Sequence, residues 1–327
     1  MDRRRFLASL TLASVAASRI ASPQPTRRFY RIGLASISKA SDIAGPEPRN
    51  PYTRAFLKEL QAFGYVYGVN FVTEPHGTEG KPERYPVVAA ELVRKHVDVI
   101  VGAGPTLPAL KQATSSIPIV MAAASDPVAQ GLVQSLGHPG GNITGLSHQS
   151  AETTGKRLEL LKELVPIQGQ IAVLWDKGAA LAWQAARATA QQRGWKLLSL
   201  ELRDAGEIEG AFKVATAAKC GSILVLTGEI AFPHRKRITE LAALSRLPAM
   251  YDLRPYVEVG GLISYSADLV EIWRRAAGFV DKILRGAKPA DLPIEQPTTF
   301  DLAINSRTAK ALRLTIPQSL LAQAQFI

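Results

Sequence analysis

Cysteine occurs once in the 327-residue chain, at Cys220, which excludes an internal disulfide even in an oxidising compartment. Lying between a helical stretch and an apolar run, it suits a small buried hydrophobe. Histidine is scarce as well: His76, His96, His138, His148 and His234 show no ligand spacing such as HExxH, so no metal site is expected. There is no GxSxG elbow and no GxxxxGK[ST] phosphate loop, and Gly102-Ala103-Gly104 lacks the third glycine of a dinucleotide fingerprint. An enzyme would need a nucleophile, a base, a metal or a cofactor, and none is visible. We therefore expect no catalysis and no cofactor. Long hydrophobic runs are missing too. The longest near a terminus, Phe6 to Ala17, is too short for a bilayer core of ~30 Å. It is not a membrane anchor.

Charge is plentiful by contrast, with a formal net charge of +11. Lys and Arg recur at helical spacing with no aromatic-interleaved basic run, so they read as solvated surface charge rather than a nucleic-acid footprint. Arg3, Arg4 and Arg5 form a positive segment ahead of the apolar stretch, and small residues follow before Pro23. This is the pattern of a secretion signal over residues 1–22. Arg3-Arg4-Arg5-Phe6-Leu7 also resembles the twin-arginine export motif, and the periplasm is the expected location. Arg19 spoils the small-residue pattern before the cut, leaving Ala17, Ser18 or Ser22 as the last residue removed. Loss of Met1 to Ser22 would take four Arg and one Asp with it, leaving +8. No cysteine stands at the end of the apolar stretch, so no lipid anchor is expected.

From Phe29 onward, short β-branched or apolar runs alternate with amphipathic stretches, the pattern of parallel sheets covered by helices. Strands are expected at 30–35, 70–73, 97–101 and 117–122, with helices marked by Phe56, Leu57, Leu60 and Phe63, by 87–93 and by 107–113. A second cycle has strands at 171–175, 196–200, 222–226 and 249–251, separated by helices at 179–192, 207–218 and 233–244. The repetition predicts an α/β protein of two Rossmann-like lobes with parallel sheets. The glycine-rich stretch Gly137 to Gly145 reads as the joint, with further crossings at Gly260 to Tyr265 and, after a helix at 268–284, at Pro293 to Ile304. Three crossovers give a first lobe of 29–145 plus 266–292 and a second of 146–265 plus 293–327.

Open α/β sheets bind ligands just beyond their strand ends. In the first lobe the polar residues there are Ser36, Gly104 and Thr106 around Pro105, and Ser125 with Asp126. The turn into the helix at Thr106 can seat an anion, although Thr106 and Ser125 could equally cap their own chain and Asp126-Pro127 could simply start a helix. The second lobe offers Trp175 and Asp176, Thr227 and Glu229, and Tyr251 and Asp252. An aromatic face with a carboxylate suits an ammonium group beside an apolar body. Core packing for Trp175 and solvent exposure for Glu229 and Asp252 remain alternatives.

The ordered set Phe63-Gly64-Tyr65 with Gly68-Val69-Asn70, Ile117-Pro118-Ile119-Val120, Asp126-Pro127-Val128, Pro139 to Gly145, Lys156 to Leu161, Gly260-Gly261-Leu262 and Ala309 to Leu312 resembles the bacterial ABC transporter substrate-binding proteins of the tryptophan/tyrosine type. The resemblance spans nearly the whole chain. It implies a type 1 periplasmic-binding-protein fold that closes over a small solute, an amino acid or related carboxylate with Thr106 and Ser125 near its acid end. It further implies delivery to permease subunits of an importer by a monomer that meets the membrane only through them. Trp175-Asp176-Lys177 departs from the Asn-Pro-rich turn of many relatives. A repressor of this fold would need an N-terminal DNA-binding module, where only signal-like sequence stands. A periplasmic sensor subunit serving a membrane signalling partner remains an alternative.

Overall fold

The computed structural model describes residues 28–165 and 169–327, so the expected signal segment 1–22 lies outside the described residues. Strands β1 (Tyr30–Ser36), β2 (Phe71–Gly77), β3 (Val99–Ala103), β4 (Ile119–Ala124) and β5 (Ile143–Ser147) form one sheet in the order β2-β1-β3-β4-β5, all parallel. The second sheet contains β6 (Ile171–Asp176), β7 (Leu197–Leu202), β8 (Ser222–Val225), β9 (Ala249–Tyr251), β10 (Ile263–Ala267), β11 (Phe300–Ile304) and β12 (Ala324–Phe326). Its order, β7-β6-β8-β9-β10, repeats that of the first sheet and then continues into β11 and β12. The sheets are not wholly parallel as expected, because β11 runs antiparallel to β10. The chain enters β11 from the opposite lobe and so meets the sheet in the reverse direction.

The helices are α1 (Pro51–Ala62), α2 (Tyr85–Arg94), α3 (Leu107–Ala113), α4 (Thr154–Leu164), α5 (Ala180–Arg193), α6 (Ile208–Ala217), α7 (Arg235–Leu244), α8 (Arg254–Glu258), α9 (Leu269–Leu284), α10 (Ser306–Ala311) and α11 (Gln318–Leu321). Capping residues set where the longer ones begin. Asn50 accepts from the N–H groups of Tyr52 and Thr53 ahead of Pro51, and Asp268 accepts from those of Val270 and Glu271. None of these helices is long and apolar enough to cross a membrane.

Helix α9 follows a strand of the second sheet yet packs on the first. Its face Ile272, Trp273, Ala276, Ala277, Val280 and Ile283 is buried with Phe56, Leu57 and Leu60 of α1 against Val99, Val101, Val120 and Leu146. Each fully buried side chain of this size contributes about 1.5–3 kcal/mol, so the late helix is integral to the early sheet.

The expected joint at Gly137 to Gly145 lies elsewhere. Ile143 and Thr144 are β-branched and, with Leu146, form a fully buried strand, while the glycine-rich composition belongs to the turn before it. Gly145, at φ +132°, passes so close to β4 that a Cβ would stand 2.3 Å from the Met121 carbonyl oxygen. The anticipated divisions after 145 and 265 thus fall inside strands, which end at Ser147 and Ala267. The chain crosses between sheets at 148–153, at Asp268 and at 292–299. The third crossing is fastened to β5: the Ser147 N–H donates to the Glu295 carbonyl, the Glu295 N–H to the Gly145 carbonyl, and Thr144 Oγ1 to the Leu292 carbonyl.

Candidate functional site

The C-terminal strand ends of both sheets face one cavity whose empty space, with the open solvent at its mouth included, is about 1050 Å³. The first lobe contributes Ser36, Ile37 and Ser38 after β1, Asn50 and Tyr52 at the start of α1, Gly104, Pro105 and Pro108 after β3, and Ala123, Ser125 and Gln130 around the end of β4. Leu269 and Trp273 reach it from α9. The opposite wall is Gly178, Thr227, Gly228, Glu229, Phe232, Pro233 and Leu253, and His148 lines it from the first crossing. The lobes touch at the rim, where a Cβ on Gly80 would meet Pro233 Cβ at 2.8 Å.

Of the residues singled out from sequence, Ser36, Gly104, Ser125, Thr227 and Glu229 line this cavity and six do not. The Thr106 side chain is buried, and its hydroxyl donates 3.0 Å to the Ala103 carbonyl. The anion seat expected there is also poor in donors: Pro105 and Pro108 have no N–H, and that of Leu107 is bonded to the Gly104 carbonyl. Asp126 Oδ1 accepts from the Ala129 N–H and closes its own turn. Trp175 points to the other side of its sheet, stacks on Trp183 at 5.5 Å and donates from Nε1 to Ser199 Oγ. Strand alternation requires this, since Asp176, one residue on, faces the cavity side.

The remaining three form the layer beneath the wall. Asp176 is fully buried and accepts from the N–H groups of Gly178 (2.8 Å), Glu229 (3.1 Å) and Ile230 (2.8 Å), which shapes the loop carrying Glu229. Asp252 is also buried and accepts from the Thr227 N–H and hydroxyl and from Ser150 Oγ. Tyr251 stacks on Tyr256 at 4.8 Å, and burial raises its pKa far above the usual tyrosine range.

Sequence reasoning missed the aromatic wall. Tyr52 and Trp273 stack at 6.4 Å, each within the first two turns of a helix whose remaining apolar stripe packs in the core. The Asn50-Pro51 cap and Asp268 were the available signals, because both mark helix starts at the cavity edge. Phe232 sits edge-on to Tyr256.

The walls carry little charge. Burial, followed by the field of Glu258, pushes the Tyr52 hydroxyl up to about 12. Burial also lowers His148 to about 4, with Arg157 acting in the same direction and Asp252 opposing, so the imidazole is neutral at pH 7. Among the described residues Glu229 is the only lining carboxylate, Lys177 stands 3.6 Å from it, and no Lys or Arg lines the cavity. Among the described residues no cluster of His, Cys, Asp or Glu is placed to hold a metal ion. Such a chamber can bind a small molecule that has a flat apolar part and polar ends.

Residues 48–327 match the family described as ABC transporter substrate binding protein. A tyrosine-binding protein of Clostridioides difficile (strain R20291) is 25% identical over 263 residues, covering 79% of this chain and 75% of that protein. A solved conserved domain protein from Vibrio cholerae is 28% identical with a TM-score of 0.83, covering 91% of this chain and 99% of the other. A Streptococcus pneumonia ABC domain in complex with L-Trp is 26% identical with a TM-score of 0.82 and the same coverage. The two-lobed arrangement is the type 1 periplasmic-binding-protein fold, and the chain belongs to the ABC transporter substrate-binding protein family.

Proposed function

We propose that this member of the family captures an amino acid with a large, preferably aromatic, side chain outside the cytoplasmic membrane and delivers it to the permease of an ABC importer. The observation that carries this reading is a cavity with both lobes in its walls, lined by Tyr52 and Trp273 from the first lobe, Phe232 from the second, and by Ser36, Ser125 and Glu229 as polar groups. The ring of the solute lies among Tyr52, Trp273 and Phe232, where each aromatic contact contributes about 0.5–1.5 kcal/mol beyond burial. Its ammonium group meets Glu229, and its carboxylate meets the hydroxyls of Ser36 and Ser125. The tyrosine and tryptophan named for the two relatives support this choice.

A solute touched by both lobes favours the closed arrangement, and rotation about the three crossings opens and closes the cavity. The protein acts as an exported monomer, with residues 1–22 directing twin-arginine export to the periplasm. Titration calorimetry on protein refolded from denaturant, which strips co-purified solute, tests the reading with L-tryptophan and L-tyrosine. Micromolar or tighter binding with a smaller radius of gyration is expected. No heat and no compaction with any proteinogenic amino acid at about millimolar concentration would overturn it.

A further inference from the structure

The stretch Lys156 to Leu161 carries part of the family resemblance but contributes nothing to the cavity wall. It holds Arg157, the largest fully buried side chain among the described residues. Burial pushes this guanidinium's pKa down, and Asp252 offsets the effect. Its Nε donates 2.8 Å to the Tyr265 carbonyl, one terminal nitrogen donates 2.7 Å to the Ser150 carbonyl, and the other lies 3.4 Å from the Asp252 carbonyl. The Asp252 carboxylate accepts from Ser150 Oγ at 3.2 Å and from the Thr227 N–H at 2.8 Å. Ser150 belongs to the first crossing, Tyr265 to the strand that feeds the second, and Thr227 to the cavity wall. These two buried residues thus touch the first crossing, the strand that feeds the second, and the cavity wall at Thr227.

We propose that Arg157 and Asp252 are positioning residues that bind the first crossing, the end of β10 and the cavity wall at Thr227 into one rigid unit. Within the first two crossings, bending on closure is thereby confined to the links between Ser147 and Ser150 and at Asp268, while the third crossing at 292–299 bends independently. A solute that presses on Thr227 shifts the hinge with it. Stability alone does not account for burying these two charged groups, because apolar side chains of similar volume often match or surpass buried charges. What apolar side chains could not supply is directional bonding to three separate backbone segments. The transmission step rests on the solute-binding reading above, whereas the rigid unit does not.

The test uses the whole protein with Cys220→Ser and spin labels on cysteines at the exposed positions Lys58 and Lys213, one in each lobe. Inter-label distances are measured by electron resonance without solute, then with L-tryptophan. Arg157→Lys keeps the charge and loses the planar fork. It should broaden the solute-free distance distribution and weaken L-tryptophan binding about tenfold at temperatures where the variant is fully folded. A folded variant with unchanged width and affinity within about twofold has lost stability only, and overturns the proposal. Should Arg157→Lys not fold, Ser150→Ala removes one hydroxyl from the same network, and the same two outcomes decide at a smaller effect of about threefold. If the parent does not bind L-tryptophan, the affinity arm uses the amino acid it does bind; if it binds none, the functional reading fails and the solute-free width alone decides the rigid unit.

Discussion

Gly228 offers a sharp perturbation because it lies against the Asp176 carboxylate. A Cβ there would stand 1.8 Å from Oδ1, 2.3 Å from Cγ and 2.5 Å from Oδ2. No small shift relieves three such contacts, and Asp176 cannot swing away without abandoning the N–H groups of Gly178, Glu229 and Ile230. Gly228→Ala must therefore break that carboxylate-centred turn. Hydrogen bonds to a charged group contribute about 1.5–3 kcal/mol each. Water recovers part of that loss, so a destabilisation of roughly 2–5 kcal/mol is expected. That corresponds to a fall in Tm of about 5–15 °C, read by circular dichroism. Solute affinity should fall too, because the displaced loop carries Glu229. Gly178→Ala is the graded control: its Cβ would lie 3.1 Å from Asp176 Oδ1, which a slight adjustment relieves at about 1 kcal/mol. In an Asp176→Ala background, Gly228→Ala should add little, since its target is gone. Stability of the single Gly228→Ala variant within about 0.5 kcal/mol of the parent would refute the reasoning.

Thr106→Val removes a hydroxyl already committed to Ala103, so it should cost about 1 kcal/mol of stability and leave solute affinity within about twofold. A tenfold loss by calorimetry would return that hydroxyl to the solute. Trp175→Leu loses the stack on Trp183 and the bond to Ser199, a cost of about 1–3 kcal/mol, with unchanged solute affinity. A marked affinity change would place the ring in the solute's path. His148 has its pKa lowered to about 4 by burial, so the unfolded chain takes up its proton first as pH falls below the ordinary value of about 6.5. The stability held by the neutral ring is complete above pH 6.5 and is lost toward pH 4, to about 3 kcal/mol at most. Urea denaturation across that range should show His148→Gln losing less than the parent, and parallel slopes would contradict the assignment.

Most elements were legible because each announces itself locally. The runs at 171–175 and 249–251 and the helix at 107–113 were read within a residue, as β-branched stretches and apolar spacing dictate. The strand at Ile143 escaped, since glycines in its approach outweighed its short apolar run. The side chain directions of Trp175 and Asp176 were illegible for a different reason. Alternation says that they oppose one another, but not which faces the cavity. Asp176, Tyr251 and Asp252 lie where ligand residues were sought, one layer too deep, and a buried carboxylate that accepts backbone N–H groups looks the same in sequence as one that meets an ammonium group. Tyr52 and Trp273 were hidden inside stripes that otherwise pack in the core.

Helix α9 covers the first sheet but is encoded after most of the second lobe. During synthesis, all five strands of that sheet leave the ribosome by Ser147, while the helix that buries one of its faces is completed only at Leu284. At about 5–20 residues per second the gap lasts roughly 7–27 s, and in that interval Val99, Val101, Val120 and Leu146 have only α1 over them and lack the cover of α9. The nascent first lobe is therefore a natural client for a holdase, and fragments ending before Leu269 should aggregate even though their own strands are complete.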